Sequence, residues 1–272
     1  MKYTRVEIAS TILNRLQQEK PKLQKQFVDS KKQIGYFYLD GLLPVNLANE
    51  IFINFPPLEN TFLRKSLKEQ KYIAYQMDKY NPLLEEVIYA FQDPRVVSLI
   101  KEICGLTSVI PDENLYAGGL SLMKKNNFLK PHLDNSHDKD RKRWRILNLL
   151  YYVTPEWKDT NGGNLELWLD GLENNPVSIV SKFNRLVVMA THQNSWHSVN
   201  KVNVEAVRCC VSNYYFSEEP FYDTDTFHVT SFRGRSSQKI LDVILRIDNS
   251  LRMGIRKVFK KGIRKNPHQY KK

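Results

Sequence analysis

The chain has 272 residues, 42 % of them apolar, with 11 Gly, 12 Pro and 3 Cys. That is enough for one large domain or two small ones around a buried core, and it excludes a disordered tail protein, a collagen-like repeat and a disulfide-stapled miniprotein. The formal charge of +12 is unevenly placed: residues 231–272 hold 13 of the 41 Lys and Arg against only Asp242 and Asp248, and the rest of the chain stands at 28 to 27.

In chain order, residues 4–20 show apolar positions at helical spacing, and the short aromatic run Ile34 to Leu39 reads as a strand. Leu43 to Phe55 returns to the helical period and Pro56-Pro57 closes it. Residues 65–80 are polar with interleaved tyrosines and are expected to form a surface flap. Asp93-Pro94 reads as an N-cap with proline at the first helical position, inside a helical region from Asn81 to Cys104 that Gly105 ends. After residue 114 the period shortens. Eight apolar or aromatic runs follow: Leu115 to Met123, Phe128 to Asp134, Ile146 to Thr154, Asn164 to Leu169, Val177 to Phe183, Arg185 to Thr191, Trp196 to Val202 and Arg208 to Ser217. Turn residues separate them and no helix intervenes, which predicts a sandwich or jelly roll. The basic tail then places Ile240, Val243, Ile244, Ile247, Leu251, Ile255, Val258 and Phe259 at helical spacing with Arg and Lys between them. Such a helix can lie on an anionic membrane, bind a partner or phosphates, or pack its apolar stripe on its own domain.

Of six histidines, His132 lies in Lys130-Pro131-His132-Leu133-Asp134. Residues two apart on a strand face the same side, so His132 and Asp134 point together. With a second imidazole from a distant strand they complete the donor set that holds non-haem Fe(II) by one face. His197, in Ser195-Trp196-His197-Ser198-Val199, is placed to supply it. Arg208 opens an otherwise apolar final strand, where a guanidinium suits the far carboxylate of a dicarboxylic co-substrate. His137 and His192 each lie five residues from one of these ligands and are expected to be surface loop residues.

This ordered set resembles the Fe(II)/2-oxoglutarate-dependent oxygenases of the prolyl 4-hydroxylase-like group. The resemblance runs from about Ile34 to Pro220. It includes Leu150-Tyr151-Tyr152-Val153 before Trp157, Gly162-Gly163-Asn164-Leu165-Glu166-Leu167, and Phe183-Asn184-Arg185-Leu186-Val187. It implies an α+β fold with a double-stranded β-helix (jelly-roll) core at residues 33–220; the helical period, not the resemblance, adds an N-terminal helical segment at 1–32 and a basic amphipathic extension at 221–272. It implies Fe(II) on His132, Asp134 and His197, 2-oxoglutarate and O2 as co-substrates, and the C5 carboxylate of 2-oxoglutarate on Arg208. Tyr152 falls where relatives carry a tyrosine whose hydroxyl assists that carboxylate. Asn148, four residues earlier on the same strand face, should also look into the pocket. Leu122-Met123-Lys124-Lys125-Asn126-Asn127 stands where prolyl hydroxylases commonly carry an aromatic and a glycine-rich turn, which weakens the case for a prolyl substrate.

The implied reaction is hydroxylation of an unactivated C–H, with 2-oxoglutarate decarboxylated to succinate. Two rivals stand beside it: a jelly-roll binding protein with a vestigial iron site, and a nucleic-acid demethylase of the same superfamily. The near-neutral body disfavours nucleic acid. Arg141-Lys142-Arg143-Trp144-Arg145, close after the ligand strand, points instead to an anionic substrate or an anionic surface that carries it. Cys104, Cys209 and Cys210 form no disulfide framework, and the N-terminus lacks the pattern of a secretory signal. A cytoplasmic setting is expected, with peripheral membrane or protein contact through the basic helix.

Overall fold

Thr4 starts the first helix: its side chain accepts from the Glu7 N–H while the Glu7 carboxylate accepts from the Thr4 N–H at 2.8 Å, a reciprocal capping box. The computed structural model describes residues 3–259 and 270. α1 (Arg5–Ser30) runs past Pro21, beyond the expected end at residue 20, because Leu23 and Phe27 resume the buried face begun by Ile8, Ile12 and Leu16. Proline removes one intrahelical hydrogen bond, and the burial of those two side chains offsets that loss.

β1 (Tyr36–Asp40) and α2 (Val45–Ile53) follow. β2 (Phe62–Lys65) and β3 (Glu69–Ala74) form a hairpin where a surface flap was expected. α3 (Pro82–Ala90) and α4 (Pro94–Cys104) are capped by Asn81 and Asp93, whose side chains accept from Leu83 and Arg95 N–H groups at 2.9 Å. Gly105 closes α4 at φ +59°. Then come β4 (Ile110–Pro111), β5 (Gly119–Met123), β6 (Phe128–Leu133), β7 (Trp144–Tyr152), β8 (Leu165–Leu167), β9 (Val177–Ile179), β10 (Arg185–Ala190), β11 (His197–Val199), β12 (Arg208–Ser217), β13 (Ser231–Phe232) and α5 (Lys239–Val258). All eight expected strands of the β region are present. With β1 and β3 they form one curled antiparallel sheet in the order β1-β10-β7-β12-β5-β3-β6-β11-β8-β9, with β13 added beside β6. The α+β double-stranded β-helix with flanking helices is therefore the architecture.

Strand alternation divides the interior. Leu147, Leu149 and Tyr151 of β7 and Cys209, Val211 and Tyr215 of β12 face the main core, shared with α1, α3 and α4. Asn148, Leu150 and Tyr152, with Arg208, Cys210, Ser212 and Tyr214, face a cavity of about 990 Å³ on the other side of the same strands. One sheet thus carries a helix-packed face and a polar, concave one.

β3 sits between β5 and β6, joining the two halves of the sheet, so residues 65–80 are framework and not a flap. The apolar stripe of α5 departs from the packing alternative too. All eight of its residues, Ile240 through Phe259, are exposed, whereas the one fully buried residue of α5 is Leu245. Among the described residues no helix is long and apolar enough to cross a membrane.

Candidate metal centre

β6 and β11 pair so that His132 and His197 are direct cross-strand partners, with ring centroids 4.1 Å apart. Asp134 follows two residues after His132 and turns the same way. His132 Nε2 lies 3.7 Å from Asp134 Oδ1, and His197 Nε2 lies 3.8 Å from Asp134 Oδ2. One donor atom from each of the three residues falls within 4.8 Å of the others, and all three side chains are buried.

The tautomers follow from the outer hydrogen bonds. His132 Nδ1 lies 2.9 Å from the Lys130 carbonyl and His197 Nδ1 lies 2.9 Å from the Ser195 carbonyl. A carbonyl only accepts, so each ring carries its proton on Nδ1 and presents a bare Nε2 lone pair to the centre. Burial, reinforced by His197, holds His132 neutral, its pKa down to about 3. Burial alone would raise the Asp134 carboxyl, but His197, Arg145 and His132 outweigh it and keep the group ionised. Asp134 Oδ2 is buried without a hydrogen-bond partner. Two imidazole lone pairs and an unsatisfied carboxylate oxygen converging in a dry site fit a divalent metal that accepts mixed nitrogen and oxygen donors.

Arg208 lies further along the same cavity, 3 % exposed. Its hydrogen bonds, Nη1 to Gly163 O at 3.4 Å and Nη2 to Ser121 Oγ at 3.5 Å, are long, and Nε has no partner. Its guanidinium carbon is 5.2 Å from the Tyr152 ring centroid. The Tyr152 hydroxyl, near Ser181 and Arg208, makes no well-formed hydrogen bond, and burial pushes its pKa up, so it stays protonated and able to donate. Asn148 donates from Nδ2 to the Tyr214 hydroxyl at 3.2 Å and leaves Oδ1 unpartnered on the cavity side. Gly163 is needed where Arg208 passes: at φ +67°, a Cβ would sit 2.9 Å from Val202 Cγ2 and 3.2 Å from Arg208 Cδ.

The cavity therefore holds all six residues singled out from the sequence: His132, Asp134, His197, Arg208, Tyr152 and Asn148. It also holds residues that the sequence did not single out one by one, among them Arg145, the last of the basic run after the ligand strand. Arg145, 4 % exposed, brings Nη1 to 3.8 Å from Asp134 Oδ1 and lies 4.3 Å over the Tyr214 ring. Arg64 and Lys71 of the β2–β3 hairpin, with Glu69 between them, form one wall, and Arg252 and Arg256 of α5 another. The signal for Tyr214 and Ser212 was present in the strand period: both lie in phase with Arg208. His137 and His192 are not surface residues. Each is 5 % exposed: Phe227 packs on His137 with centroids 4.5 Å apart, and Phe221 stacks on His192 at 5.3 Å.

Residues 118–216 match the family described as the 2OG-Fe(II) oxygenase superfamily. Among solved structures, three prolyl hydroxylases, one of them from Phytophthora capsici, align with TM-scores of 0.54 or better. The Phytophthora protein scores 0.57 at 16 % identity, covering 95 % of this chain and 83 % of its own. A Pseudomonas putida prolyl-4-hydroxylase scores 0.54 at 17 %, covering 72 % and 99 %. A Trichoplax adhaerens prolyl hydroxylase, solved with a hypoxia inducible factor peptide fragment, scores 0.54 at 20 %, covering 74 % and 92 %. At these identities the likeness to each is one of fold. No curated protein sequence matches the chain significantly.

Proposed function

We propose that this chain, whose residues 118–216 match the 2OG-Fe(II) oxygenase superfamily, is a hydroxylase of an anionic substrate. It would consume 2-oxoglutarate and O2, release succinate and CO2, and place a hydroxyl on an unactivated C–H. The observation that carries this reading is the pairing of a converged two-histidine, one-carboxylate donor set with a buried guanidinium that no carboxylate neutralises among the described residues.

Fe(II) on His132, Asp134 and His197 would supply the oxidative decarboxylation of 2-oxoglutarate and the transfer of one oxygen atom to the C–H. The carbonyls of Lys130 and Ser195 hold the two imidazoles in the ligating tautomer. Arg208 receives the distal carboxylate of 2-oxoglutarate through charge-assisted hydrogen bonds, and the Tyr152 hydroxyl donates to the same group. Asn148, tied to Tyr214, limits how that co-substrate lies in the cavity. Arg145, with Nη1 3.8 Å from Oδ1, steadies the ionised Asp134.

Selection of the substrate falls to the mouth. Arg64, Lys68, Lys71, Arg252 and Arg256 line it; Glu69 engages Lys71 at 3.2 Å and Arg64 at 3.5 Å, and Asp248 engages Lys68 and Arg252, which leaves five cations to two acids. A surplus of cations around a low-dielectric opening concentrates acidic acceptors. A phosphate- or carboxylate-bearing molecule suits this mouth better than a neutral peptide proline. Three free, buried cysteines suit a cytoplasmic setting. The test is succinate formation from 2-oxoglutarate, read by mass spectrometry with Fe(II) and a panel of anionic and neutral acceptors. Fe(II)-dependent succinate that rises with an anionic acceptor is the expected result. No Fe(II)-dependent succinate with any acceptor would overturn the reading in favour of a binding protein.

A further inference from the structure

α5 is amphipathic in the reverse of the usual sense. Its inward side packs Leu245 and Leu241 beside Met123, Leu129 and Phe232, is otherwise mostly polar, and closes on the body through specific contacts. Asp242 accepts from Arg233 Nε at 2.6 Å and from the Gly234 N–H at 2.9 Å. Asp248 pairs with Lys68 and Arg252, and Asn249 exchanges two hydrogen bonds with the Phe232 backbone. Arg252 donates to the Thr230 carbonyl at 2.7 Å, and Arg256 to His137 Nε2 at 3.0 Å. These contacts fix the orientation of the helix. The apolar stripe is therefore outward by construction, with Ile240 82 %, Leu251 65 % and Val258 76 % exposed.

Charge follows the same division. The two acids of the tail, Asp242 and Asp248, are both turned inward and paired. Lys239, Arg246 and Lys257 are exposed and lie seven and eleven residues apart, which places them in one row along an edge of the stripe. Past residue 259 the sequence adds Lys260, Lys261, Arg264, Lys265, Lys271 and Lys272 with no acid. From Ile240 to Val258 the stripe is roughly 27 Å long.

We propose that the outer face of α5 docks on an anionic lipid surface. An apolar strip edged by cations, with no acid facing out, matches acyl chains below and anionic headgroups beside them. A second copy of this chain is a poorer occupant, because stripe-to-stripe contact would bring two cationic edges together with nothing to neutralise them. Docking also has a consequence for the cavity: Arg252, Ile255 and Arg256 line its mouth, so the helix that meets the lipid holds the entrance at headgroup level. The docking itself requires no metal and stands apart from the hydroxylase reading.

The experiment is co-sedimentation of the full chain with phosphatidylcholine vesicles, with and without a third of phosphatidylglycerol. The wild type should bind the anionic vesicles at least about tenfold more tightly than the neutral ones, and less tightly as salt is raised. Ile244→Glu/Ile247→Glu/Leu251→Glu changes only exposed positions outside the cavity. It should lose at least about tenfold of that binding while its melting temperature and lipid-free succinate formation stay as in the wild type. Arg246→Gln/Lys257→Gln should weaken binding to anionic vesicles alone. Equal binding by the triple variant and the wild type, or no binding to either vesicle, would overturn the proposal. So would a wild-type dimer in sedimentation velocity that the triple variant dissolves, which would assign the face to a second copy.

Discussion

Replacing Arg208 by Met separates a charge kept for a co-substrate from one that belongs to the fold. The guanidinium is 3 % exposed, its two hydrogen bonds are 3.4 and 3.5 Å long, and its Nε has no partner. A buried cation so weakly compensated is a load on the folded state, while Met keeps most of the stem that packs beside Gly163. Without 2-oxoglutarate, Arg208→Met should therefore melt no lower than the wild type, with full relief of that load adding about 1–3 kcal/mol. With 2-oxoglutarate the sign reverses. A charge pair at about 4 Å in a medium of effective dielectric about 20 is worth about 4 kcal/mol. Truncating one partner of a buried pair costs about 2–5 kcal/mol, or roughly thirty- to several-thousand-fold in the 2-oxoglutarate requirement. The assay is thermal melting with redox-inert Mn(II), with and without 2-oxoglutarate. Saturation a hundredfold above Kd should add about 2.7 kcal/mol to the wild type and almost nothing to the variant. A variant that melts lower on its own yet keeps the full 2-oxoglutarate shift would refute the reasoning, since Arg208 would then serve the fold and not the co-substrate.

Tyr152→Phe removes one hydroxyl from the same end of the cavity and should cost about 1 kcal/mol, visible as a several-fold rise in KM for 2-oxoglutarate; a larger penalty than that of Arg208→Met would mean the carboxylate lies elsewhere. His132→Ala and Asp134→Ala should each abolish Fe(II)-dependent succinate while circular dichroism stays native, and full turnover in both would remove the metal assignment. Gly163→Ala forces a Cβ onto a backbone at φ +67° and against Val202 and Arg208. Urea unfolding should show a loss of about 1–3 kcal/mol, together with weaker 2-oxoglutarate binding. His137 is held neutral by burial, then by Arg256 and Arg141, with its pKa down to about 3. Unfolding frees it to protonate, so between about pH 3 and 6.5 the unfolded chain binds the extra proton and stability rises with pH. In urea titrations across that window His137→Gln should flatten the slope by about 1.4 kcal/mol per pH unit; an unchanged slope would show that the imidazole is already protonated in the fold.

The strands of the core were legible because each is a short apolar run bounded by Asn, Gly or Pro, and the ligands because strand phase sets His132 beside Asp134. The β2–β3 hairpin was not, since a strand that borders a wet cavity carries Lys, Glu and Gln where the period leads one to expect apolar residues. Burial of His137 and His192 depends on Phe227 and Phe221, some 90 and 30 residues away in sequence, which no local pattern reports. The outward face of α5 was hidden for a different reason. An apolar stripe normally marks the buried side, and the contacts of Asp242, Asn249 and Arg252, with the burial of Leu245, show that the other side is the one that packs.

β6 has consequences for the order in which the molecule is completed. His132 pairs with His197 on one side and with Phe232 on the other, and the Phe232 ring stacks on the His132 imidazole with centroids 5.2 Å apart. The neighbouring part of the same strand is held by Glu69 and Gln70 of β3. A chain emerging from the ribosome thus has its first two metal donors long before the segments that wall them in. Until Phe232 is available, His132 stands on an unpaired strand edge, open to water and to pairing with other chains. The wall beside His132 is complete only once Ser231 and Phe232 have been made and laid against β6, well after the donors themselves.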